Sequence, residues 1–181
     1  YTLITINSLY VQNSMEIKSN ADLKSLYVIP EDLSIPSVFE SLEDDGIYAV
    51  VGEGLVASYT EINGVYNWIG NLTEITPRSG YWINLLADYT VPLDQEVDLD
   101  YCTVYDIVSG NNLVSYPGPN DNSILEQNLG GADFALEHFN FIIGQGVGLF
   151  NTDLGWSGNL NSMVAKRGYW VNSNTTMPFS F

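Results

Sequence analysis

A single imidazole, His138, and a single thiol, Cys102, set narrow limits on nucleophilic and metal chemistry in this chain. A Ser-His-Asp or Cys-His arrangement could be built only once, and no second His or Cys stands at zinc-ligand spacing from either residue. Acids are plentiful, 22 Asp and Glu, so a carboxylate pair of the glycosidase kind is available by number. Hard oxygen ligands for calcium cluster at Asn120-Asp121-Asn122 and Asp44-Asp45, without full EF-hand spacing; turn chemistry accounts for both. Gly144-Gln145-Gly146-Val147-Gly148 superficially has the look of a phosphate cradle, but no helical pattern follows it to present an N-terminus to an anion. No metal and no cofactor is expected.

Charge removes further classes. Five Lys and Arg against 22 acids leave a net −17, which repels nucleic acid and anionic membrane surfaces. No run approaches the roughly 20 apolar residues of a membrane span. One Cys rules out a disulfide within the chain, so the fold must rest on its core. The chain opens in a strand-like stretch, Tyr1 to Tyr10, as a processed product or fragment would.

The elements that position these residues are duplicated. Trp68-Ile69-Gly70-Asn71-Leu72 and Trp156-Ser157-Gly158-Asn159-Leu160 are 88 positions apart, as are Gly80-Tyr81-Trp82-Ile83-Asn84 and Gly168-Tyr169-Trp170-Val171-Asn172. Val50–Gly54 matches Ile142–Gly146 at an offset of 92, and Leu26–Pro30 matches Leu113–Pro117 at 87. All four Trp residues fall at equivalent places. Two tandem copies follow, near 10–94 and 97–181; as domains, 1–95 is the first repeat with its N-terminal strand and 96–181 the second. At roughly 85 residues each, a copy alone would bury little more than 60% of its surface, so the copies are expected to pack as a pseudo-symmetric pair. Asp94–Tyr101, alternating acid with apolar, reads as the first strand of copy 2.

Within each copy the pattern predicts a β-rich α+β unit: short antiparallel strands and one short helix. Ser37-Val38-Phe39-Glu40 and Ser123-Ile124-Leu125-Glu126 have capping-box form, each opening about two turns. The first helix should bury Val38, Phe39 and Leu42 and stop at Asp44-Asp45-Gly46; the second should end near Gly130-Gly131. Strands are expected at Ile47–Val51, Leu55–Tyr59 and Tyr81–Leu85, with a turn at Asn63-Gly64, and at Phe139–Ile143, Val147–Phe150 and Tyr169–Ser173.

Duplication also tests the chemistry, because a site built into the unit should occur twice. His138 has no imidazole counterpart near Tyr48; Cys102 aligns with Met15, an apolar slot; Glu53 becomes Gln145. The Gly-x-Gly segments therefore read as turns requiring positive φ, and Glu40 and Glu126 as capping residues. Aromatic positions divide more usefully. Side chains alternate along a strand, so Tyr81, Ile83 and Leu85 face the core while Trp82 and Asn84 face away, repeated in Trp170 and Asn172. An indole beside a carboxamide is a stacking and hydrogen-bonding platform for a sugar ring, and equally a natural contact between copies. Trp68 and Trp156 are assigned to the core with Leu72 and Leu160. Three of the five basic residues, Arg78, Lys166 and Arg167, precede the Gly-Tyr-Trp strands, where they could neutralise acids of a neighbouring copy or solubilise a turn. Asn71-Leu72-Thr73 and Asn174-Thr175-Thr176 are N-glycosylation sequons.

The run from Asn112-Leu113-Val114-Ser115-Tyr116-Pro117 through Asp121-Asn122-Ser123, Ile143-Gly144-Gln145-Gly146 and Trp156–Leu160 to Lys166-Arg167-Gly168-Tyr169-Trp170 resembles a module found near the ends of large surface-exposed proteins. It is similar to segments of marine bacterial secreted proteins and tailed-phage virion proteins. Copy 1 departs from the pattern, with Glu31-Asp32-Leu33 and Ile35-Pro36 in place of the Asp-Asn-Ser stretch. The resemblance implies a non-catalytic accessory, adhesive or assembly module and supplies no functional residues. The expected role is a structural or interaction module of an extracellular assembly such as a virion, surface filament or adhesin, partnered by itself or a larger component. A carbohydrate-binding module using Trp82, Asn84, Trp170 and Asn172, with Arg78 and Lys166 nearby, is the alternative; a carboxylate hydrolase ranks third.

Overall fold

The computed structural model describes residues 14–26, 31–92, 103–116, 122–123 and 132–181. The expected strands at Tyr1–Tyr10 and Asp94–Tyr101, together with Cys102, Asp121, Glu126 and Gly130-Gly131, lie outside the described residues.

The protein is β-rich, with two five-stranded antiparallel sheets and two helices among the described residues. In the first half β1 (Ser14–Ile17) and β2 (Asn20–Ser25) precede α1 (Ile35–Glu43), then come β3 (Ile47–Gly52), β4 (Leu55–Ile62), β5 (Val65–Gly70), β6 (Gly80–Leu85) and β7 (Tyr89–Pro92). The second half runs β8 (Tyr105–Ile107), β9 (Gly110–Ser115), β10 (Asn122–Ser123), α2 (Ala132–His138), β11 (Phe139–Gly144), β12 (Val147–Thr152), β13 (Gly155–Gly158), β14 (Ser162–Met163), β15 (Gly168–Ser173) and β16 (Met177–Phe179). The sheet orders are β2-β6-β3-β4-β5 and β9-β15-β11-β12-β13, and the ribbons β1-β7 and β8-β16 lie beside them. The two five-stranded sheets are repeat-like in strand order, and a further short ribbon, β10-β14, stands in the second half.

Alternation along the central strands sets what they bury. On β6 the side chains of Tyr81, Ile83 and Leu85 are buried and those of Trp82 and Asn84 half-buried; β15 repeats this with Tyr169, Val171 and Ser173 against Trp170 and Asn172. The inner face of the first sheet packs with Phe39 and Leu42 of α1, Met15 and Ile17 of β1, and Leu72 and Ile75. A second, separate core gathers Tyr105, Tyr116, Phe139, Ile142, Leu160, Tyr169 and Val171. Each fully buried aliphatic side chain contributes roughly 1.5–3 kcal/mol of transfer free energy.

One hairpin explains where the halves differ in length. Asn63 (φ 54°) and Gly64 (φ 81°) close β4 and β5 through a two-residue turn pairing Ile62 with Val65. The β4–β5 hairpin is longer than β12–β13 by two residues on each strand, which accounts for the offset falling from 92 at the Gly-x-Gly turns to 88 at the Trp motifs. The match of Leu26–Pro30 with Leu113–Pro117 is out of register by three. Leu23 and Trp82 pair across β2–β6, as Leu113 and Trp170 do across β9–β15, so Leu23 corresponds to Leu113 and Met15 to Tyr105 rather than to Cys102. Asp22 and Asn112 occupy one place: each side-chain oxygen accepts the backbone N–H four residues earlier, from Lys18 (2.7 Å) and Val108 (2.9 Å).

The helices begin elsewhere than the capping boxes indicate. Ser34, not Ser37, is the N-cap of α1; Pro36 sits in the first turn, where its missing N–H costs nothing, and Asp32 accepts the Ser34 N–H at 2.9 Å. Ile35 joins Phe39 and Leu42 on the buried face, and Val38 is only partly buried. The helix does stop at Asp44-Asp45-Gly46, where Gly46 has φ 86°. Ser123 lies in β10 opposite Ser162, and the described helix of that half starts only at Ala132.

Candidate functional site

The Gly-Tyr-Trp strands bring the two sheets into contact. Gly80 and Gly168 face each other so closely that a Cβ on either would lie 3.0 Å from the other's Cα. Leu23 and Leu113, buried but belonging to neither core, close over the same point, Leu23 toward Gly168 and Leu113 toward Gly80. Backbone bonds cross reciprocally: Ser25 N–H donates to Lys166 O (3.1 Å) and Ser115 N–H to Arg78 O (3.0 Å). Arg78 and Lys166 thus meet the opposite half through their carbonyls. Lys166, with φ 65°, also donates its Nζ to Ser14 O at 2.9 Å, while the Arg78 side chain is exposed.

The Gly-x-Gly turns, read from sequence as turns only, are also clamps. Gln145 Oε1 accepts the Leu23 N–H (2.9 Å) and its Nε2 donates to Ala21 O (3.1 Å), covering the edge of β2. Glu53 Oε2 accepts the Leu113 N–H (2.8 Å) on the edge of β9. The Glu-to-Gln change between the turns marked, in fact, one position reaching across to the other half. Gly54 and Gly146 adopt the positive φ expected of them, 67° and 74°. Beneath this contact Lys24 and Asp22 form a buried ion pair at 3.0 Å, which sequence reading overlooked. A strand residue pair i,i+2 of opposite charge was its only signal.

Trp82 and Trp170 stand one outward position beyond the touching glycines, half-buried on the outer faces of their sheets. They are neither freely exposed nor enclosed. Asn84 donates only long bonds, 3.4 Å, to Ala49 O and Trp82 O. Asn172 instead lies in a chain of carboxamides: Asn140 Nδ2 donates to Asn172 Oδ1 (2.7 Å), and Asn172 Nδ2 to Asn111 Oδ1 (2.6 Å). Phe141, paired with Asn172, and Phe150, paired with Phe141 on the next strand, adjoin this chain with ring centroids 6.2 Å apart.

The other repeated residues have structural work. A Cβ on Gly70 or Gly158 would fall 2.0 or 2.1 Å from the carbonyl oxygen of Val56 or Gly148. The following Asn71 and Asn159 accept the N–H of those same residues at 2.8 Å, and Leu72 and Leu160 enter the cores. Tyr81 and Tyr169 accept backbone N–H groups from Thr76 (2.9 Å) and Val164 (2.8 Å); burial pushes both phenols above their ordinary pKa against these bonds. Trp68 and Trp156 pack on the cores as assigned, but Trp68 Nε1 donates to Glu43 (2.7 Å) while the buried Trp156 Nε1 has no partner among the described residues. Both sequon asparagines are occupied in backbone bonds, Asn71 as above and Asn174 donating to Glu137 O at 2.6 Å.

Catalytic candidates stay dispersed. His138 ends α2 against the Phe134 ring (4.3 Å between centroids), and structurally corresponds to Gly46, not Tyr48. Asp32 and Asp88 are held below the ordinary carboxyl pKa by backbone N–H groups of Ser34 and Ser19, the opposite of a general acid's need. A cleft of about 370 Å³ lined by Gln145, Asn159, Arg167 and Tyr169 contains no carboxylate; one of about 230 Å³ between the halves sets Arg78 near Glu53, Tyr105 and Asp106. Among the described residues no three His, Cys, Asp or Glu gather as metal ligands, and no helix is long and apolar enough to cross a membrane. Neither a protein-family model, nor a curated protein, nor a solved structure matches this chain.

Proposed function

We propose that this chain is a non-catalytic structural module, a duplicated and pseudo-symmetric pair, that joins an extracellular assembly such as a virion, surface filament or adhesin through the outer edge of β5, which no described strand covers. The reciprocal contacts between Gly80 and Gly168, Ser25 and Lys166, and Ser115 and Arg78 support the pairing of repeats. Among the four edges of the two sheets, β5 carries the proposal. The edge of β2 is clamped by Gln145 and that of β9 by Glu53, and β13 is a four-residue strand with Gly155 and Gly158 at its ends. β5 has six residues, none charged and none Pro, and its hairpin exposes Leu55, Val56, Ile62, Val65, Tyr66 and Ile69. Those are the features of an edge open to strand addition, since Lys, Pro and bulges are what block it.

With Ile62 and Val65 paired at the turn, the backbone groups of Tyr66 and Trp68 face outward. The occupant is a second copy of the chain, β5 against β5 in antiparallel sense, because that pairing is self-complementary and sets no like charges of the strand against each other. Net charge −17 opposes association at low salt and is screened in salty surroundings, which suits an extracellular setting. Sedimentation at about 0.5 M salt should detect concentration-dependent dimers, abolished by Tyr66→Pro, which removes an outward N–H and spares the β4 ladder. Monomers at every concentration, or dimers unaffected by Tyr66→Pro, overturn the proposal.

A further inference from the structure

The outer face of the second sheet carries more than its scaffold requires, and the first sheet serves as the internal control. At the positions of Asn111, Phe141 and Phe150 the first sheet has Ala21, Ala49 and Ser58, and at Asn140 it has Tyr48. The same strand order and register are thus achieved without the two Phe side chains or the carboxamide chain. Those residues are unfavourable where they stand. Asn is depleted in strands, and Phe150 leaves 44% of its surface exposed.

Their arrangement is ordered. By register Trp170 neighbours Ile143, Ile143 neighbours Gly148, and Phe150 folds its ring over Gly148, where an added Cβ would meet the ring at 2.9 Å. Phe141 completes an apolar strip of three aromatic rings, and the linked carboxamides of Asn140, Asn172 and Asn111 run along its flank. No ionised side chain stands at these strand positions.

We propose that this face is a binding site for an uncharged polysaccharide chain, its pyranose rings lying on Trp170, Phe141 and Phe150 and its hydroxyls bonded to Asn140, Asn172 and Asn111. Each carboxamide offers both a donor and an acceptor, matching a hydroxyl, which is both. The aromatic strip matches the apolar faces of sugar rings. Neutrality of the ligand follows from charge: a surface of net −17 repels uronate and sulfated chains, and the face supplies no cation to hold them. The site narrows the sequence expectation to one half, since Trp82 and Asn84 have Ala49 and Ser58 beside them where Trp170 and Asn172 have Phe141 and Phe150. It lies on a different sheet from β5 and stands independently of dimer formation.

The test is retention of the intact chain on insoluble neutral polysaccharides (cellulose, xylan, mannan, agarose and chitin), with alginate and heparin beads as anionic arms. At least one neutral matrix should retain the protein. Phe150→Ser and Phe141→Ala, which install the residues of the first sheet and so are compatible with the scaffold, should each weaken retention about tenfold or more. Trp82→Ala should leave it unchanged, and circular dichroism checks that all variants fold. Absence of retention on every neutral matrix, retention by the anionic arms alone, or equal loss with Trp82→Ala would overturn the assignment.

Discussion

Substituting Gly168 by Ala places a Cβ 3.0 Å from the Cα of Gly80, 3.1 Å from Lys24 O and 2.9 Å from Leu23 Cδ1. The last of these can rotate away; the first two are backbone and cannot. Carbon atoms in ordinary contact lie about 3.5–4.0 Å apart, so the sheets must part locally by roughly 0.5–1 Å. The bonds Ser25 N–Lys166 O and Ser115 N–Arg78 O, at 3.1 and 3.0 Å, then stretch past useful length. Overpacking costs about 1–3 kcal/mol and each lost hydrogen bond about 1 kcal/mol, giving roughly 3–5 kcal/mol. The two cores share no residue, so this cost falls on their contact and not on either core. Amide exchange reads the difference. Protection of the Leu23 and Leu113 amides, each bonded across the contact, should fall by about 100- to 4,000-fold, while Val50 and Ile142 inside the cores retain theirs. Gly80→Ala should act alike, its Cβ meeting Gly168 Cα at 3.0 Å and Val114 O at 3.1 Å. If Gly168→Ala leaves exchange at both leucines unchanged and urea stability within about 0.5 kcal/mol of the parent, the account of this contact is wrong.

Tyr81→Phe and Tyr169→Phe each strip a part-buried backbone N–H of its acceptor and should cost about 1 kcal/mol in denaturant melts. Trp68→Phe should cost about 1 kcal/mol more than Trp156→Phe, because among the described residues the first indole N–H has a partner to lose and the second has none. Ser19 donates to Asp88 at 2.8 Å, and Asp88, with its lowered pKa, lends stability that is present above about pH 4 and fades as pH falls through the folded-state value. Carboxyl NMR titration should show Asp88 protonating below the ordinary Asp range, and Asp88→Asn should remove the acid sensitivity of the β1–β2 turn. Burial raises the Tyr81, Tyr105 and Tyr169 phenols, so their stabilisation is complete below about pH 10 and lost as pH climbs toward the folded values. Ultraviolet titration should find them ionising only with alkaline unfolding.

Local rules recovered the strands of the sheet centres because alternation of apolar and polar residues is itself the physics of a half-buried strand. The helix starts went astray where a short-range rule met a stronger neighbour: at α1 the capping box at Ser37 lost to Pro36 and to the Asp32–Ser34 bond three residues earlier. The edge strands β5 and β13 and the ribbons β1-β7 and β8-β16 had little period-2 signal, since a strand seated at an edge or on a ribbon satisfies its pattern with partners distant in the chain.

By itself the sequence determined the recurrence of motifs, the faces of β6 and β15, and the turns at Asn63-Gly64 and the two Gly-x-Gly sites, all set by chemistry within a few residues. Tertiary structure alone decided that Gly80 must meet Gly168, that Glu53 and Gln145 serve the opposite half, and that Phe150 lies over Gly148 beside a chain of asparagines. The contacts between the halves and the asparagine chain depend on distances between residues up to 124 positions apart in the chain, and no local propensity carries information about which backbones will approach to 3 Å.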